Sequence, residues 1–315
     1  MLRITADIFS GRPEPVWEVV DEGLARATLR ALTADLSLLA DAEPAQSGLG
    51  FRGFRIETLG DELAQDFGLG AVVYLAVGPQ ARSPRAAELA EQLIGLIERD
   101  GTRIETAEGA PPLEVPLRDF LTSQLELAAQ LEFQSQVSVT DEAGPVSPEA
   151  VTAPAVTCFI ELGAFNPGFW NNDPRVRRCN NCYNYASNWR TDTFAQPGLG
   201  CGDVWDVITC QEVTTAALCD GMHHRFDCFP DTERPRYLVA LVVTPPGPGA
   251  DFHWYRKQKE GFWGHKPGGT AARNFDNSGN TIYNPETANR GPYTIFCGYF
   301  YGCNSQRRRI RGFGC

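Results

Sequence analysis

The sequence predicts an α+β protein in two parts, on three observations. Near the N-terminus, alternating apolar residues are followed by leucines at helical spacing, which is typical of mixed strands and helices. Cysteine is absent before Cys158, and all ten lie from Cys158 to Cys315. Residues 134–156 are rich in Pro, Ser and small residues, as linkers are. We therefore predict a small acidic α+β domain at 1–133, a linker at 134–156 and a Cys-rich α+β domain at 157–315.

The first part is predicted to alternate strands with amphipathic helices. Residues 2–9 alternate apolar and polar side chains and indicate a strand, which ends at Ser10-Gly11-Arg12-Pro13. Asp21 is a suitable N-cap for a helix whose leucines share one buried face. Further strands are predicted at 50–58 and 70–77, and further helices at 83–100 and 117–133. Nothing in this part resembles a catalytic set.

The second part is predicted to have a β core with irregular loops. Its candidate strands are residues 237–244, 251–256, 261–265, 281–284 and 293–301. Short connections join most of them, which favours an antiparallel meander. A short helix, capped by Asn180 or Asn181, is expected to begin near Cys182 and to precede the meander.

Charge and composition narrow the class of partner and compartment. The 315 residues carry a net charge of −11, and residues 1–157 hold 25 acidic side chains, 11 arginines and no lysine. Such an acidic half would repel phosphates, so we expect no nucleic-acid partner. Residues 1–8 lack the apolar core of a signal peptide and no stretch is long enough to span a membrane, so the default expectation is a cytoplasmic protein with no membrane partner. Ten cysteines would equally suit an extracellular protein, and the sequence leaves the oligomeric state open.

Cys182 is the candidate nucleophile. In the first turn of a helix, the unpaired N–H groups and the helix dipole favour the thiolate and lower the pKa of the thiol. The chain has four histidines, and two of them, His253 and His265, lie on consecutive predicted strands around a Glu260-Gly261 turn. An imidazole with a pKa near 7 can take the thiol proton and return it to a leaving amine.

This order of a helix-borne cysteine and strand-borne histidines resembles the papain-like superfamily, above all its NlpC-type peptidases and amidases. The resemblance covers residues 166–301 and implies that Cys182 is the nucleophile, His253 the base and His265 the group that orients the base. It implies a papain-like fold, with the cysteine helix packed on an antiparallel meander. The expected activity is hydrolysis or transfer of a peptide or amide-linked acyl group through a thioester, without a cofactor.

Two roles in this site have alternatives. Asp276 or Asn284 could replace His265 as the orienting group, through a carboxylate or amide oxygen. The backbone N–H of Cys182 could stabilise the oxyanion, together with the side-chain amide of Asn181 or Asn172. Asp276 also has a simpler interpretation, because its neighbours Asn277-Ser278-Gly279-Asn280 indicate a turn.

A non-catalytic interpretation stands beside the enzymatic one. Residues 182–186 (CYNYA) and 193–198 (TFAQPG) resemble a little-characterised group of bacterial proteins and molluscan shell-matrix proteins, from which no activity follows. Cys182 could then be half of a disulfide in a binding or matrix protein that keeps a papain-like shape. A free thiol of low pKa would favour the enzyme, and a disulfide would favour the structural protein.

A metal site and a basic tail are weaker motifs. His223, His224 and Cys228 are the candidate ligands if a metal binds, but no second C-x-x-C follows Cys179-x-x-Cys182, so we expect no metal. The nine-residue spacing of Cys201, Cys210, Cys219 and Cys228 instead indicates loops tied by disulfides. The patch at 307–311 (RRRIR) is expected to be a solvated terminus or a dock for the acidic half.

Overall fold

The computed structural model describes two layered α+β assemblies that contact each other. The described residues are 1–41, 48–77, 81, 83, 85–100, 102–103, 118–125, 160–225 and 233–314. The predicted linker at 134–156 lies outside them. In the part of the chain described, no helix has the length and apolar character needed to cross a bilayer.

The N-terminal assembly is built on a six-stranded antiparallel sheet. Its strands are β1 (Leu2–Asp7), β2 (Val16–Val19), β3 (Leu39–Ala40), β4 (Gly53–Thr58), β5 (Val72–Ala76) and β6 (Thr102–Arg103). Their order across the sheet is β3-β5-β4-β1-β2-β6. Alternation in β1 buries Leu2, Ile4 and Ala6, which is the pattern that predicted this strand.

Helices cover this sheet and close its core. They are α1 (Glu22–Thr33), α2 (Asp61–Asp66), α3 (Arg85–Asp100) and α4 (118–125). Asp21 caps α1 as predicted, since its side chain accepts a hydrogen bond from the backbone N–H of Leu24 at 2.8 Å. The leucines of α1 and α3 that share a face join one core with the sheet residues.

A buried polar cluster fixes the loop after β1. Arg52 donates to Asp7 and to the carbonyl of Phe9, and its Nη2 lies 3.0 Å from Glu14. Glu14 accepts the backbone N–H groups of Ile8 at 2.8 Å and of Phe9 at 2.9 Å. Residues 8–9 are therefore held in one conformation, and the segment that follows them points at the C-terminal assembly.

The C-terminal assembly is built on a five-stranded antiparallel sheet and a two-stranded ribbon. The sheet contains β8 (His223–His224), β9 (Tyr237–Val243), β10 (Phe252–Lys257), β11 (Trp263–His265) and β12 (Ile295–Gly302), in the order β11-β10-β9-β12-β8. The ribbon pairs β7 (Phe194–Gln196) with β13 (Arg311–Phe313). The strands β9, β10 and β11 form the predicted antiparallel meander.

Short helices surround this sheet. They are α5 (Gly168–Asn171), α6 (Pro174–Cys179), α7 (Cys182–Ser187), α8 (Cys210–Cys219) and α9 (Asn304–Arg309). The cysteine helix α7 packs on the sheet at β10, as predicted. The α+β class is confirmed for both assemblies.

One predicted strand is wrong, and several short strands were not predicted. Residues 281–284 form only an isolated bridge between Thr281 and Phe275, because another turn begins at Asn284, whose side chain accepts the N–H of Glu286. The strands β7, β8 and β13 have two or three residues each and show no alternation long enough to recognise.

Candidate functional site

The start of α7 is built by its own asparagines. Asn181 is the N-cap, and its side chain accepts the N–H groups of Tyr183 at 3.1 Å and Asn184 at 3.2 Å. Asn184 returns the interaction, accepting the N–H of Asn181 at 3.0 Å. This capping box places Cys182 in the first turn, which confirms the predicted position of the cysteine.

The Cys182 thiol is sealed from solvent. The residue is completely buried, and its core neighbours include Phe252 and Trp254 of β10. Its Sγ lies 3.8 Å from the carbonyl oxygen of Phe252. Burial raises the pKa of the thiol well above its ordinary value of 9.0, and the negative charge of Asp251 raises it further. The expectation of a low pKa is therefore wrong, and the group is a neutral thiol at pH 7.

His253 and His265 do meet. His253 Nε2 lies 2.8 Å from His265 Nδ1, and His265 Nε2 lies 3.0 Å from the carbonyl oxygen of Phe275. The His253 Nδ1 is buried and has no hydrogen-bond partner among the described residues. Burial lowers the pKa of both imidazoles well below 6.5. The charge of Arg273 lowers both pKa values further, and His265 also lowers that of His253. Both rings are therefore neutral at pH 7.

The thiol and the imidazoles lie on opposite faces of the sheet. Successive side chains of a strand alternate between faces. Phe252 and Trp254 join the core of Cys182, whereas the ring of His253 contacts Tyr255, His265 and Tyr293. The structure thus assembles the predicted base and orienting group and leaves the predicted nucleophile apart from them. The roles assigned to Cys182, His253 and His265 stay a prediction.

The alternative site residues have other partners. Asp276 accepts the N–H groups of Ser278, Asn280 and Asn289 at 2.9 to 3.0 Å, which is the turn role that its neighbours indicated. Asn284 is exposed and accepts the N–H of Glu286 at 2.9 Å. Neither side chain has a hydrogen bond to either histidine in the described part of the chain.

The side-chain amides of the two proposed oxyanion donors have other neighbours. Asn181 Nδ2 donates to the carbonyls of Gly11 at 2.8 Å and Ala195 at 2.7 Å, so its amide is already used. Asn172 is exposed at the end of α5, where it lies beside Gly168. The hydrogen bonds of Asn181 therefore give it a structural role.

Sequence reasoning missed Asp251, a completely buried carboxylate. It accepts the backbone N–H groups of Ser10 at 2.5 Å and Arg12 at 3.1 Å, and the hydroxyl of Tyr293 at 2.5 Å. The N–H of Gly11 lies 3.2 Å from both of its oxygens. Burial raises the pKa of this carboxyl group. No local signal could have found it, because its partners at 10–12 are about 240 residues away.

The segment 10–12 covers the start of α7. The carbonyl of Gly11 accepts from Gln196 Nε2 at 2.6 Å as well as from Asn181. A Cβ atom at Gly11 would lie 2.4 Å from the ring of Phe252, so only glycine fits without a shift of that ring. The N-terminal half therefore contacts both the cap residue of the Cys182 helix and the adjacent strand β10.

A buried lysine completes the polar framework around α6 and α7. Lys266 Nζ donates to the carbonyls of Arg177 and Asn180 and, at 2.7 Å, to that of Gly268. An ammonium group is stabilised in a protein interior only when its donors are satisfied. Lys266 thus ties β11 to the end of α6, next to the Cys182 helix.

Disulfides tie the loops as the cysteine spacing indicated. Cys201 pairs with Cys219, and Cys210 pairs with Cys297, which links α8 to β12. Cys179 is also disulfide-bonded. Cys182 and Cys303 are the free thiols of the described residues.

The predicted metal ligands do not form a site in what the structure describes. His223 and His224 are adjacent on β8, where their side chains point to opposite faces, and Cys228 lies outside the described residues. Among the described residues, no group of three or more His, Cys, Asp or Glu side chains could hold a metal ion.

Comparison with known proteins gives one informative relative. The chain is 47% identical over 135 residues to insoluble matrix shell protein 1 of Ruditapes philippinarum. The match spans 43% of this chain and 86% of the relative. No known family profile and no solved structure matches the chain. The comparisons therefore support the resemblance to shell-matrix proteins and give no support to a papain-like family.

Proposed function

Because this chain belongs to the same family as insoluble matrix shell protein 1, we propose that it is a non-catalytic, disulfide-stabilised matrix protein. The observation that carries the proposal is the state of Cys182, which is free but completely buried. Burial keeps the thiol protonated, and the thiolate is the nucleophilic form. A nucleophile in this state could not attack an external carbonyl without opening the protein.

The framework around the thiol supports the same proposal. Two disulfides join segments that are 18 and 87 residues apart, which lowers the entropy of the unfolded chain. The segment 10–12 fills the space over α7 through hydrogen bonds made by the backbone of Gly11. These contacts join the segment 10–12, the cap of α7 and the strand β10 into one persistent fold.

Alkylation of the native protein tests this proposal. We expect iodoacetamide to label Cys182 at least about a hundredfold more slowly than glutathione between pH 5 and pH 9, since each 1.4 kcal/mol of opening free energy slows access tenfold. Peptide mass spectrometry would measure the labelling. After unfolding in urea without reductant, Cys182 should label fully, because it is not in a disulfide.

Cys303 is the internal control, because it is also free and buried. It should label together with Cys182 on unfolding. Rapid labelling of Cys182 alone below pH 8, abolished by His253→Ala, would contradict the matrix proposal and favour a cysteine hydrolase.

The second candidate function is the cysteine-dependent peptidase, amidase or acyl transferase. One observation favours it, namely the 2.8 Å contact between His253 and His265 beside a capped cysteine helix. It requires that a peptide or amide-linked substrate reach Cys182, and that His253 turn to the other face of the sheet. Both changes would disrupt the contacts of β10 described above.

A further inference from the structure

We propose that a surface cavity between α7 and α9 binds a sulfated polysaccharide. The cavity has a volume of about 330 Å³ and is lined by Trp189, Asn304, Arg307, Arg308 and Arg311. Three guanidinium groups and one indole therefore line it, and none of the described residues that line it is a carboxylate. This inference rests on the proposed matrix function and adds a ligand to it.

The fold holds the three arginines at the surface. Gln306 and Ile310, four residues apart, are completely buried, so α9 turns Arg307 and Arg308 outward. Glu233 fixes the start of α9 by accepting the N–H of Ser305 at 2.9 Å and its hydroxyl at 2.6 Å. Within the described residues, no ion pair neutralises these arginines, so the dock for the acidic half considered from the sequence is not seen.

Trp189 supplies an aromatic platform beside them. It follows Asn188, whose left-handed conformation ends α7, and the N–H of Trp189 donates to the carbonyl of Asn184 at 3.1 Å. The indole is 43% exposed. The Arg307 guanidinium lies 4.7 Å from the ring centroid, and its Nε is buried without a hydrogen-bond partner among the described residues.

The aromatic surface continues next to Trp189. Arg190 stacks on Phe169, with its guanidinium carbon 3.3 Å from the ring centroid, and Phe169 is also 43% exposed. Arg190 and Phe169 thus form a second stacked arginine–aromatic pair, and Arg190 is the next residue in the chain after Trp189. Contiguous exposed aromatic surface of this kind can mark a binding site.

These groups fit a sulfated sugar chain. Arginine forks bind the oxygens of sulfate through two parallel hydrogen bonds, and the apolar face of a sugar ring can lie on an exposed indole. The cavity volume lies within the range of small-ligand sites, about 300 to 1,000 Å³. The three arginines supply the positive charge that sulfate groups need.

Nucleic acid fits less well. Double-stranded DNA carries about one charge per 1.7 Å but keeps its bases stacked inside the duplex, so it would contact the arginines and not the exposed indole. An acidic peptide would use the arginines but not the exposed indole. The combination of a short cationic patch with an aromatic face therefore favours the sulfated sugar.

Binding to the full chain tests the proposal. Chondroitin sulfate would be the probe, with unsulfated chondroitin, inorganic sulfate and a dT oligonucleotide as comparisons, measured by titration calorimetry at 50 and 150 mM salt. Arg307→Gln/Arg308→Gln/Arg311→Gln should weaken the affinity for chondroitin sulfate at least tenfold. The matched control Arg30→Gln/Arg85→Gln/Arg175→Gln removes three exposed arginines elsewhere and should change it less than threefold.

Trp189→Ala separates sugar recognition from simple anion binding. The substitution should lower the affinity for chondroitin sulfate about fivefold and leave the affinity for inorganic sulfate unchanged. Thermal unfolding would check that the variant folds. Absence of chondroitin sulfate binding, equal loss in both triple variants, or tighter binding of the oligonucleotide would overturn the inference. Those results would leave the matrix proposal standing, since that proposal depends on the alkylation of Cys182.

Discussion

The two faces of the C-terminal sheet differ in chemistry although they share the strand β10. The thiol face, formed by Cys182, Phe252 and Trp254, is apolar and holds a protonated thiol. The histidine face carries the side chains of Asp251, His253, Tyr255, His265 and Tyr293. Acid–base groups thus gather on one side of the strand and the nucleophile on the other. The presence of a cysteine and two histidines is therefore insufficient for a catalytic site. Side chains alternate between the two faces of a strand, so the position of a residue along β10 decides which face it reaches.

Removing Asp251 should have the largest effect on the histidine face. Asp251→Ala would leave three backbone N–H groups and the hydroxyl of Tyr293 buried without an acceptor, so we expect a loss of about 3–5 kcal/mol in unfolding free energy. Urea denaturation would measure it.

Asp276→Ala is the matched control, because Asp276 also accepts three backbone N–H groups but in an exposed turn. Water can replace the carboxylate there, so the loss should be about 1 kcal/mol or less. Equal losses for the two variants would mean that burial does not distinguish the two carboxylates.

The second-largest effect should be a loss of protein stability at acidic pH, caused by the two histidines of the histidine face. His253 and His265 have folded pKa values below 6.5, so the unfolded chain binds more protons as the pH falls below 6.5, and stability falls with it. We expect the two residues together to lower the unfolding free energy by about 2 kcal/mol between pH 7 and pH 5.5. The raised pKa of Glu14 acts in the opposite direction, so the measurement is a comparison of urea denaturation between wild type and His253→Gln/His265→Gln.

His253→Gln/His265→Gln should lose less stability than wild type between pH 7 and pH 5.5. Parallel pH curves for wild type and the buried pair variant would show that the imidazoles are not held neutral.

Substitutions on the thiol face should change the unfolding free energy least. The order of the serine and alanine variants should show how polar this face is. Cys182→Ser would bury a hydroxyl against apolar rings, so we expect a loss of about 1–2 kcal/mol and a smaller loss for Cys182→Ala. At Cys303 the order should reverse, because Sγ lies 2.7 Å from the carbonyl of Gly221 and 3.4 Å from Glu233, where a serine hydroxyl could donate.

Chemical denaturation of the four single variants would test this order. If serine is tolerated better than alanine at position 182, the thiol face is more polar than its burial indicates, and the case for a reactive cysteine becomes stronger.

Local patterns predicted the elements that carry the candidate site. A cap at Asn180 or Asn181 predicted the start of α7, and the strands β9 and β10 were predicted to within two residues. These signals lie within a few residues of the elements that they specify. For the same reason Asp21 predicted α1.

Features that depend on distant parts of the chain could not be predicted. The direction of His253 depends on which face of β10 receives α7, and the contacts of Asp251 depend on residues near position 11. The pKa of Cys182 was predicted in the wrong direction because the helix effect was weighed without burial. A helix terminus contributes about 0.3–1 kcal/mol, whereas burial shifts a pKa by up to several units of about 1.4 kcal/mol each.

The contact between Gly11 and the C-terminal sheet has a consequence for the order of folding. Residues 10–12 are synthesised about 240 residues before their acceptor Asp251. Contacts of such sequence separation form late, because the chain between them must first be ordered. During synthesis the loop after β1 therefore lacks its partner until Asp251 has been made, and the two halves can associate through this contact only after that point.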